Sequence, residues 1–224
     1  MEWTYFYDIL YMTEKQGGEH MDSEHPEESG RKSIYGDHLA ELENIRKELM
    51  ERVDRLRTRI REETGYDPIE HCLSRIKSEE SMREKCVRKG LPQTEESALF
   101  KIHDAIGMRI VCAFLNDVYM VRDYLLGFED IQIVQEKDYI KNAKPGGYRS
   151  LHLIIKMESG YYAEIQIRTI SMDTWAVLEH QLTYKKNISG SKELIASELK
   201  RCADELASTD LSLQTIKDMI NGDI

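Results

Sequence analysis

Two acidic residues lie at predicted strands, where burial of a carboxylate costs free energy unless it binds a cation or a hydrogen-bond donor. Asp104 begins the apolar run DAIGMRIVCAF, whose β-branched centre predicts a buried strand. A carboxylate at this point must bind a metal ion or pair with a cation such as Arg109. Taken alone, a strand-end ion pair is the commoner of these roles, and a Mg²⁺ ligand is the functional alternative.

The segment AEIQIRT carries the second candidate. Strand alternation places Glu164, Gln166 and Arg168 on one face and Ile165 and Ile167 on the other. A polar strand face is either covered by solvent or forms the floor of a cleft. In a cleft, Glu164 would act as a general base or a metal ligand.

A glycine-containing loop, KNAKPGGYRSLH at residues 141–152, combines cations with a tight turn. Its backbone can approach a ligand closely, and Tyr148 offers a flat face for a nucleobase. The GxxxxGK[ST] spacing of a Walker A loop is absent. A solvated turn is the ordinary alternative for such a loop.

A second cationic group lies earlier in the chain. Arg75 and Lys77 share one face of a short extended stretch, and Ser81 and Lys85 share one face of the helix that follows. Ser81 near the helix start suits phosphate binding by the backbone amides and its hydroxyl. An ordinary basic helix with ion pairs to neighbouring glutamates is the alternative.

Hydrophobic periodicity predicts the elements that position these residues. Apolar residues at three- and four-residue spacing predict a long amphipathic helix over Leu39–Ile60, ended by Gly65. Later helices are predicted at 79–89, 116–126, 171–184 and 193–220, and strands at 69–77, 104–114, 131–134, 150–157 and 161–168. The pattern is that of an α/β or α+β fold, a mixed sheet flanked by helices.

The chain is predicted to divide into three parts. Residues 1–37 are polar and interrupted by glycine, and they read as a flexible N-terminal extension. Residues 38–188 contain the strands and form the folded domain. Residues 189–224 form a C-terminal helical region with a candidate role in oligomerisation.

Composition excludes several classes of protein. The formal net charge of −10 does not fit a general DNA-binding protein or RNA coat, because phosphate binding needs a basic field. No apolar stretch approaches the length of a membrane span. The four cysteines form no CxxC pair, so reduced thiols and a cytoplasmic location are expected.

Four stretches taken together are more specific than any single residue. They cover most of the chain from Pro68 to Lys186 and read HCLSRIKSEESMREKCVRKG, HDAIGMRIVCAF, EKDYIKNAKPGGYRSLHLII and YYAEIQIRTISMDTWAVLEHQLTYKK. They resemble the synthetase domain of RelA/SpoT-type alarmone synthetases, especially the small, single-domain members. The resemblance implies a nucleotidyltransferase-like fold with about five strands, and a homotetramer formed through the terminal helices.

The resemblance also implies an activity. Such enzymes transfer the β,γ-pyrophosphate of ATP to the ribose 3′-hydroxyl of GDP or GTP, which gives AMP and (p)ppGpp. It implies that Asp104 and Glu164 bind Mg²⁺ and that Glu164 activates the 3′-hydroxyl, with Arg75 and Arg109 enclosing the adenine. The positions that match the ATP-binding set are Arg75, Lys77, Ser81, Lys85 and Arg109. Those that match the acceptor-binding set are Tyr148, which stacks on guanine, and Lys144, Arg149, Gln166 and His180.

Three alternatives to this activity remain. The first is a pyrophosphokinase of the same fold that uses an adenine nucleotide or the 3′ end of tRNA as acceptor, and product analysis would distinguish it. A non-catalytic regulator that binds nucleotides or single-stranded RNA is the second, but it would not need both Asp104 and Glu164. A helical interaction protein, the third, leaves the shared face of Glu164, Gln166 and Arg168 unexplained.

Overall fold

The computed structural model describes residues 32–183 and 190–222, so the predicted extension lies outside it up to residue 31. The described residues form one five-stranded sheet in the order β1-β2-β5-β4-β3. The strands are β1 Ile69–Ile76, β2 Ile106–Cys112, β3 Ile131–Asp138, β4 Leu151–Met157 and β5 Tyr162–Thr169. The β2 and β5 strands are parallel, and the other neighbours are antiparallel. The mixed sheet expected from the sequence is therefore confirmed.

Helices precede, interrupt and follow the strands. They are α1 Leu39–Thr64, α2 Glu79–Arg88, α3 Leu115–Leu126, α4 Ile170–Thr183 and α5 Lys192–Asn221. Gly65 ends α1 in the left-handed conformation, with φ at 69° and its N–H donating to the Arg61 carbonyl. Ser78 begins α2 by accepting the Ser81 N–H at 3.3 Å.

One face of the sheet is apolar and packs on helices. Side chains of β2, β4 and β5 such as Ile106, Ile165 and Leu153 join a single core with the stripe of α1. That stripe is Leu42, Ile45, Leu49, Val53 and Leu56. It is buried within the chain, so these five residues are not available to a second copy.

The last helix, α5, is anchored to the rest of the chain by polar contacts. Thr169 donates to Asp210 at 2.5 Å, and the Asn116 N–H donates to Gln214 at 2.9 Å. The Lys217 ammonium lies 2.9 Å from the Asp117 carboxylate. Several apolar side chains of α5 nevertheless remain exposed, namely Leu194, Leu211, Leu213, Ile216, Met219 and Ile220.

Some features differ from the sequence-based expectation. The ordered chain begins before residue 38, because Ile34 and Tyr35 are buried and the Tyr35 hydroxyl donates to the Lys77 carbonyl at 2.6 Å. The β3 strand extends to Asp138, since polar residues at its exposed positions hide the strand signal. No helix in the described residues has the length and apolar character needed to cross a bilayer.

Leu49→Ala should lower the free energy of unfolding by about 2–5 kcal/mol, because it leaves a cavity between α1 and the sheet. Leu49 is 0% exposed, whereas Leu39 on the same helix is 46% exposed. Leu39→Ala is the matched control and should change stability by less than about 0.5 kcal/mol. Urea denaturation followed by circular dichroism measures both, and equal losses would contradict the packing of α1.

Candidate functional site

The second face of the sheet is polar and carries two neighbouring rows of side chains. Pairing across the strands defines each row. The first row is Arg75, Gly107, Glu164, Ile154 and Gln135. The second row is Leu73, Arg109, Gln166, His152 and Lys137. The sheet thus brings residues from five separate strands onto one surface.

This surface is the floor of a cleft, and it is not a solvent-covered face. Gln166 is 1% exposed and Arg168 is 2% exposed, which excludes a solvent-covered face, and Glu164, the first polar residue of the AEIQIRT alternation, lines the cleft. The residues that line the cleft are Lys85, Lys89, Lys101, Ile102, His103, Asp104, Gln135, Lys137, Tyr139, Lys144, His152, Ile154 and Glu164. Both candidate carboxylates therefore face the same concave space.

Asp104 lies just before β2 and is held by two lysines. The Asp104 Oδ2 atom is 2.8 Å from the Lys77 ammonium and 2.7 Å from the Lys85 ammonium. Burial opposes ionisation of this carboxyl, but the two ammonium groups outweigh burial and lower the pKa of Asp104. The partners are these lysines and not Arg109, the cation that the sequence analysis named.

The second oxygen of Asp104 has a different environment. Oδ1 is buried and makes no hydrogen bond within the described residues. An ionised oxygen without a partner is costly in the protein interior. It is therefore available to a cation that approaches from the cleft.

A divalent ion fits this arrangement. Asp104 provides an unpartnered carboxylate oxygen, and Glu164 lines the same cleft. Within residues 32–183 and 190–222, no three His, Cys, Asp or Glu side chains form a metal-binding group. Two carboxylates suit Mg²⁺, which retains water and takes substrate phosphates as its other ligands.

Two of the residues predicted to bind ATP contact Asp104, and two others lie on neighbouring elements. Lys77 and Lys85 contact it directly, and Arg75 is in the first row, two strands from Glu164. Ser81 occupies the first turn of α2 and accepts a hydrogen bond from the Ser78 hydroxyl at 2.9 Å. Their roles in ATP binding stay predictions.

A buried ion cluster lies beneath the second row. Asp173, in the first turn of α4, accepts from Arg109 at 3.3 Å and from Arg168 at 3.1 Å. Arg168 also donates to Gln166 at 2.6 Å and to the Tyr148 hydroxyl at 2.7 Å. The cluster joins a residue predicted to bind ATP, Arg109, to two predicted to bind the acceptor, Gln166 and Tyr148.

Tyr148 lies next to the cleft, in contact with three of its lining residues. Its hydroxyl is 2.8 Å from His152 Nε2, and its ring makes an edge contact with Tyr139, 6.2 Å between centroids. The Lys144 ammonium is 5.2 Å from the Tyr148 ring centroid. Because His152, Tyr139 and Lys144 all line the cleft, Tyr148 is connected to it through these three neighbours.

The histidine in this group is held neutral. Burial, together with the positive charges of Arg168, Lys144 and Lys137, lowers the pKa of His152 well below 6.5. Burial also raises the pKa of Tyr148, so its hydroxyl keeps its proton. A neutral imidazole can therefore accept the hydrogen bond of the Tyr148 hydroxyl.

Of the five predicted acceptor residues, Lys144 lines the cleft, and Tyr148, Arg149, Gln166 and His180 do not. The Arg149 guanidinium turns to α5, where it donates to the Ala203 carbonyl at 3.2 Å and to Asp204 at 2.9 Å. His180 lies on α4, and its Nε2 is buried. Their contact with the acceptor stays a prediction that this arrangement of the chain does not itself support.

Sequence reasoning assigned no role to Lys89, Lys101 or His152, and it placed neither Lys137 nor Asp173 in a binding set. Lys89, Lys101 and Lys137 line the cleft, and Asp173 and His152 belong to the buried network. His152 is detectable in hindsight, because it lies between Leu151 and Leu153 on the same sheet face as Gln166. Lys137 lies between Glu136 and Asp138, so alternation gives no signal for it. Lys89 and Lys101 flank a loop and had no such signal.

The chain is similar to proteins of one family. A sequence model described as "Region found in RelA / SpoT proteins" matches residues 74–189. The GTP pyrophosphokinase YwaC of Bacillus subtilis is 47% identical over 160 residues, which are 68% of this chain and 76% of YwaC. The GTP pyrophosphokinase YjbM of the same organism is 34% identical over 178 residues, which are 76% of this chain and 82% of YjbM.

Solved structures agree with the sequence comparisons. A GTP pyrophosphokinase family protein from Streptococcus pneumoniae superposes with a TM-score of 0.71 at 33% identity, covering 82% of this chain and 93% of that chain. Small alarmone synthetase 1 from Bacillus subtilis, bound to its product pppGpp, gives a TM-score of 0.70 at 32% identity, covering 82% and 96%.

The neutral state of His152 predicts how stability depends on pH. In the unfolded chain its pKa is about 6.5, so below that pH the unfolded state takes up a proton that the folded state does not. As the pH is lowered below about 6.5, the free energy of unfolding should therefore decrease, by up to about 1.4 kcal/mol per pH unit from this residue. His152→Gln keeps an acceptor for Tyr148 but removes this titration.

Urea denaturation at pH 7.5 and pH 5.5 tests this dependence. The loss of stability between the two values should be smaller for His152→Gln than for the wild-type chain. Equal losses in the two proteins would mean that His152 is not buried in its neutral form.

Proposed function

Because the chain belongs to the RelA/SpoT family, we propose that it is a GTP pyrophosphokinase that makes (p)ppGpp. It transfers the β,γ-pyrophosphate of ATP to the ribose 3′-hydroxyl of GDP or GTP and releases AMP. The names of the similar Bacillus subtilis enzymes support this activity. The carrying observation is the buried, unpartnered oxygen of Asp104 in the same lysine-rich cleft as Glu164.

Pyrophosphate transfer requires charged side chains in the site but no nucleophilic side chain from the protein. The 3′-oxygen forms a bond to the β-phosphorus of ATP, and the bond from that phosphorus to the α–β bridging oxygen breaks. The main tasks of the protein are in-line positioning and compensation of the phosphate charge. The cleft supplies cations for this purpose in Lys85, Lys89, Lys101, Lys137 and Lys144.

Asp104 and Glu164 are proposed to divide two tasks. Both would hold Mg²⁺, which supplies positive charge to the polyphosphate when it is bound. A Glu164 oxygen that does not coordinate the metal would take the proton of the 3′-hydroxyl as a general base. Lys77 and Lys85 fix the orientation of Asp104, because both contact its Oδ2 atom.

The two substrates are proposed to occupy opposite ends of the polar rows. ATP lies on the side of Arg75, Ser81 and Arg109, near the edge strand β1. The guanine nucleotide lies on the side of Lys144 and Tyr148, where an aromatic ring can stack on the base. Gln166, between the two ends, is part of the buried floor.

Assembly and location are further proposals. The exposed apolar side chains of α5 support a homotetramer built partly through this helix. The four cysteines are free thiols, which supports a cytoplasmic location. Single-stranded RNA stays a predicted partner.

Glu164→Gln should reduce synthesis by about 100- to 10,000-fold, because an amide cannot act as the base and is a weaker metal ligand. The measurement is chromatography of AMP and 3′-pyrophosphorylated product after incubation with ATP, Mg²⁺ and GDP, GTP, AMP or tRNA. Circular dichroism should show an unchanged fold. Asp104→Asn should give the same loss of product.

Glu158→Gln is the matched control, since Glu158 is exposed in the turn between β4 and β5. It should retain wild-type activity. A normal rate for Glu164→Gln would overturn the catalytic assignment, and product formed only from AMP or tRNA would overturn the acceptor.

A further inference from the structure

The loop of residues 144–149, called here the acceptor loop, is seated directly on α5. Gly147 has φ at 96°, a conformation that favours glycine. A Cβ atom at Gly147 would lie 2.6 Å from the Ala203 Cβ and 3.3 Å from the Lys200 Cα. The backbones of the loop and the helix therefore touch, and only glycine fits at this contact.

Arg149 fastens the loop to the helix. Its Nη1 donates to the Gly147 carbonyl at 3.1 Å and to the Ala203 carbonyl at 3.2 Å, and its Nη2 donates to Asp204 at 2.9 Å. Asp204 also accepts from Lys200 at 2.6 Å. Three of the five guanidinium donors are thus directed at the loop itself and at α5.

An apolar cluster continues the contact behind Tyr148. Tyr148 packs against a buried cluster of Trp175, Ala176 and Ala203, and three further side chains of α5 pack against the same cluster, namely Leu199, Cys202 and Leu206. The Trp175 indole donates to the Leu199 carbonyl at 2.8 Å, which fixes α4 against α5. Tyr148 therefore packs against the apolar contact between α4 and the C-terminal helix.

We propose that α5 is a working part of the acceptor site, and that Asp204 and Arg149 are positioning residues. They hold the acceptor loop so that Tyr148 and Lys144 keep the orientation that guanine nucleotides require. In this account Arg149 acts through α5 and does not bind the acceptor phosphates. The inference rests on the proposed function.

Two observations favour this role over direct phosphate binding. Arg149 is absent from the lining of the cleft, while Lys144 of the same loop is present. The α5 helix begins at Lys192, beyond residues 74–189 that match the family's sequence model, so the family domain alone does not supply this support. Positioning by a remote element can change binding without any contact to the ligand.

Steady-state kinetics of Asp204→Ala test the proposal, with GDP and GTP as acceptors. The acceptor KM should rise about tenfold, and by the same factor for both nucleotides, while the KM for ATP stays within about twofold of the wild type. Asp204 is exposed and its loss does not threaten folding. Thermal denaturation of each variant checks this point.

Glu205→Ala is the matched control. Glu205 neighbours Asp204 on α5, is exposed, and pairs with Arg201 of the same helix. This variant should keep both KM values. Arg149→Ala should raise the acceptor KM as Asp204→Ala does, and the double variant should be no worse than Arg149→Ala alone, because the two residues act as one unit.

Three results would overturn the proposal. Unequal effects of Arg149→Ala on GDP and GTP would mean that Arg149 senses the 5′-phosphates directly. A wild-type acceptor KM for Asp204→Ala would mean that α5 does not position the loop. A parallel rise in the KM for ATP, with lower thermal stability, would mean a general structural role. If the wild-type chain makes no product, the proposed function is wrong, and this outcome is independent of the results for the variants.

Discussion

A carboxylate that is buried away from water needs a positive charge nearby, and the buried Asp104 therefore requires cations among its neighbours. Lys77 at the end of β1 and Lys85 on α2 both turn toward its Oδ2 atom. These contacts connect two elements to the start of β2 and leave Oδ1 without a hydrogen-bond partner among residues 32–183 and 190–222. A single buried charge thereby links the edge of the sheet to the candidate metal position.

The site is cationic in a protein that is acidic as a whole. The formal net charge is −10, yet lysines dominate the lining of the cleft. Charges separated from the cleft by more than about 10 Å are screened by salt, so the local lysines determine the field that a nucleotide meets. The same lysines help to keep His152 neutral, which preserves its contact with Tyr148.

Local patterns in the sequence predicted most of the fold. Periodicity predicted α1, and alternation predicted β4 and β5, because both signals come from neighbouring residues. The pairing of Asp104 with Lys77 and Lys85 could not be predicted, because no spacing in the sequence reveals these contacts. Alternation placed Glu164 and Gln166 on one face, but only the packed structure shows that this face is a cleft floor.

Contacts between distant segments account for the rest. The association of Asp173 with Arg109 spans 64 residues, and that of Arg149 with Asp204 spans 55. Arg149 belongs to the glycine-containing loop motif of residues 141–152, so sequence reasoning predicted that it binds the acceptor nucleotide. The structure directs its guanidinium to α5, because the close approach of Gly147 to Ala203 brings the helix within reach.

The most direct test of the central claim is a crystal structure of the chain with Mn²⁺ and a non-hydrolysable ATP analogue, recorded at a wavelength that gives anomalous scattering from manganese. The account predicts one anomalous peak in the cleft, within coordination distance of both Asp104 and Glu164 and of phosphate oxygens. A peak that contacts neither carboxylate, or a nucleotide bound outside the cleft, would contradict it.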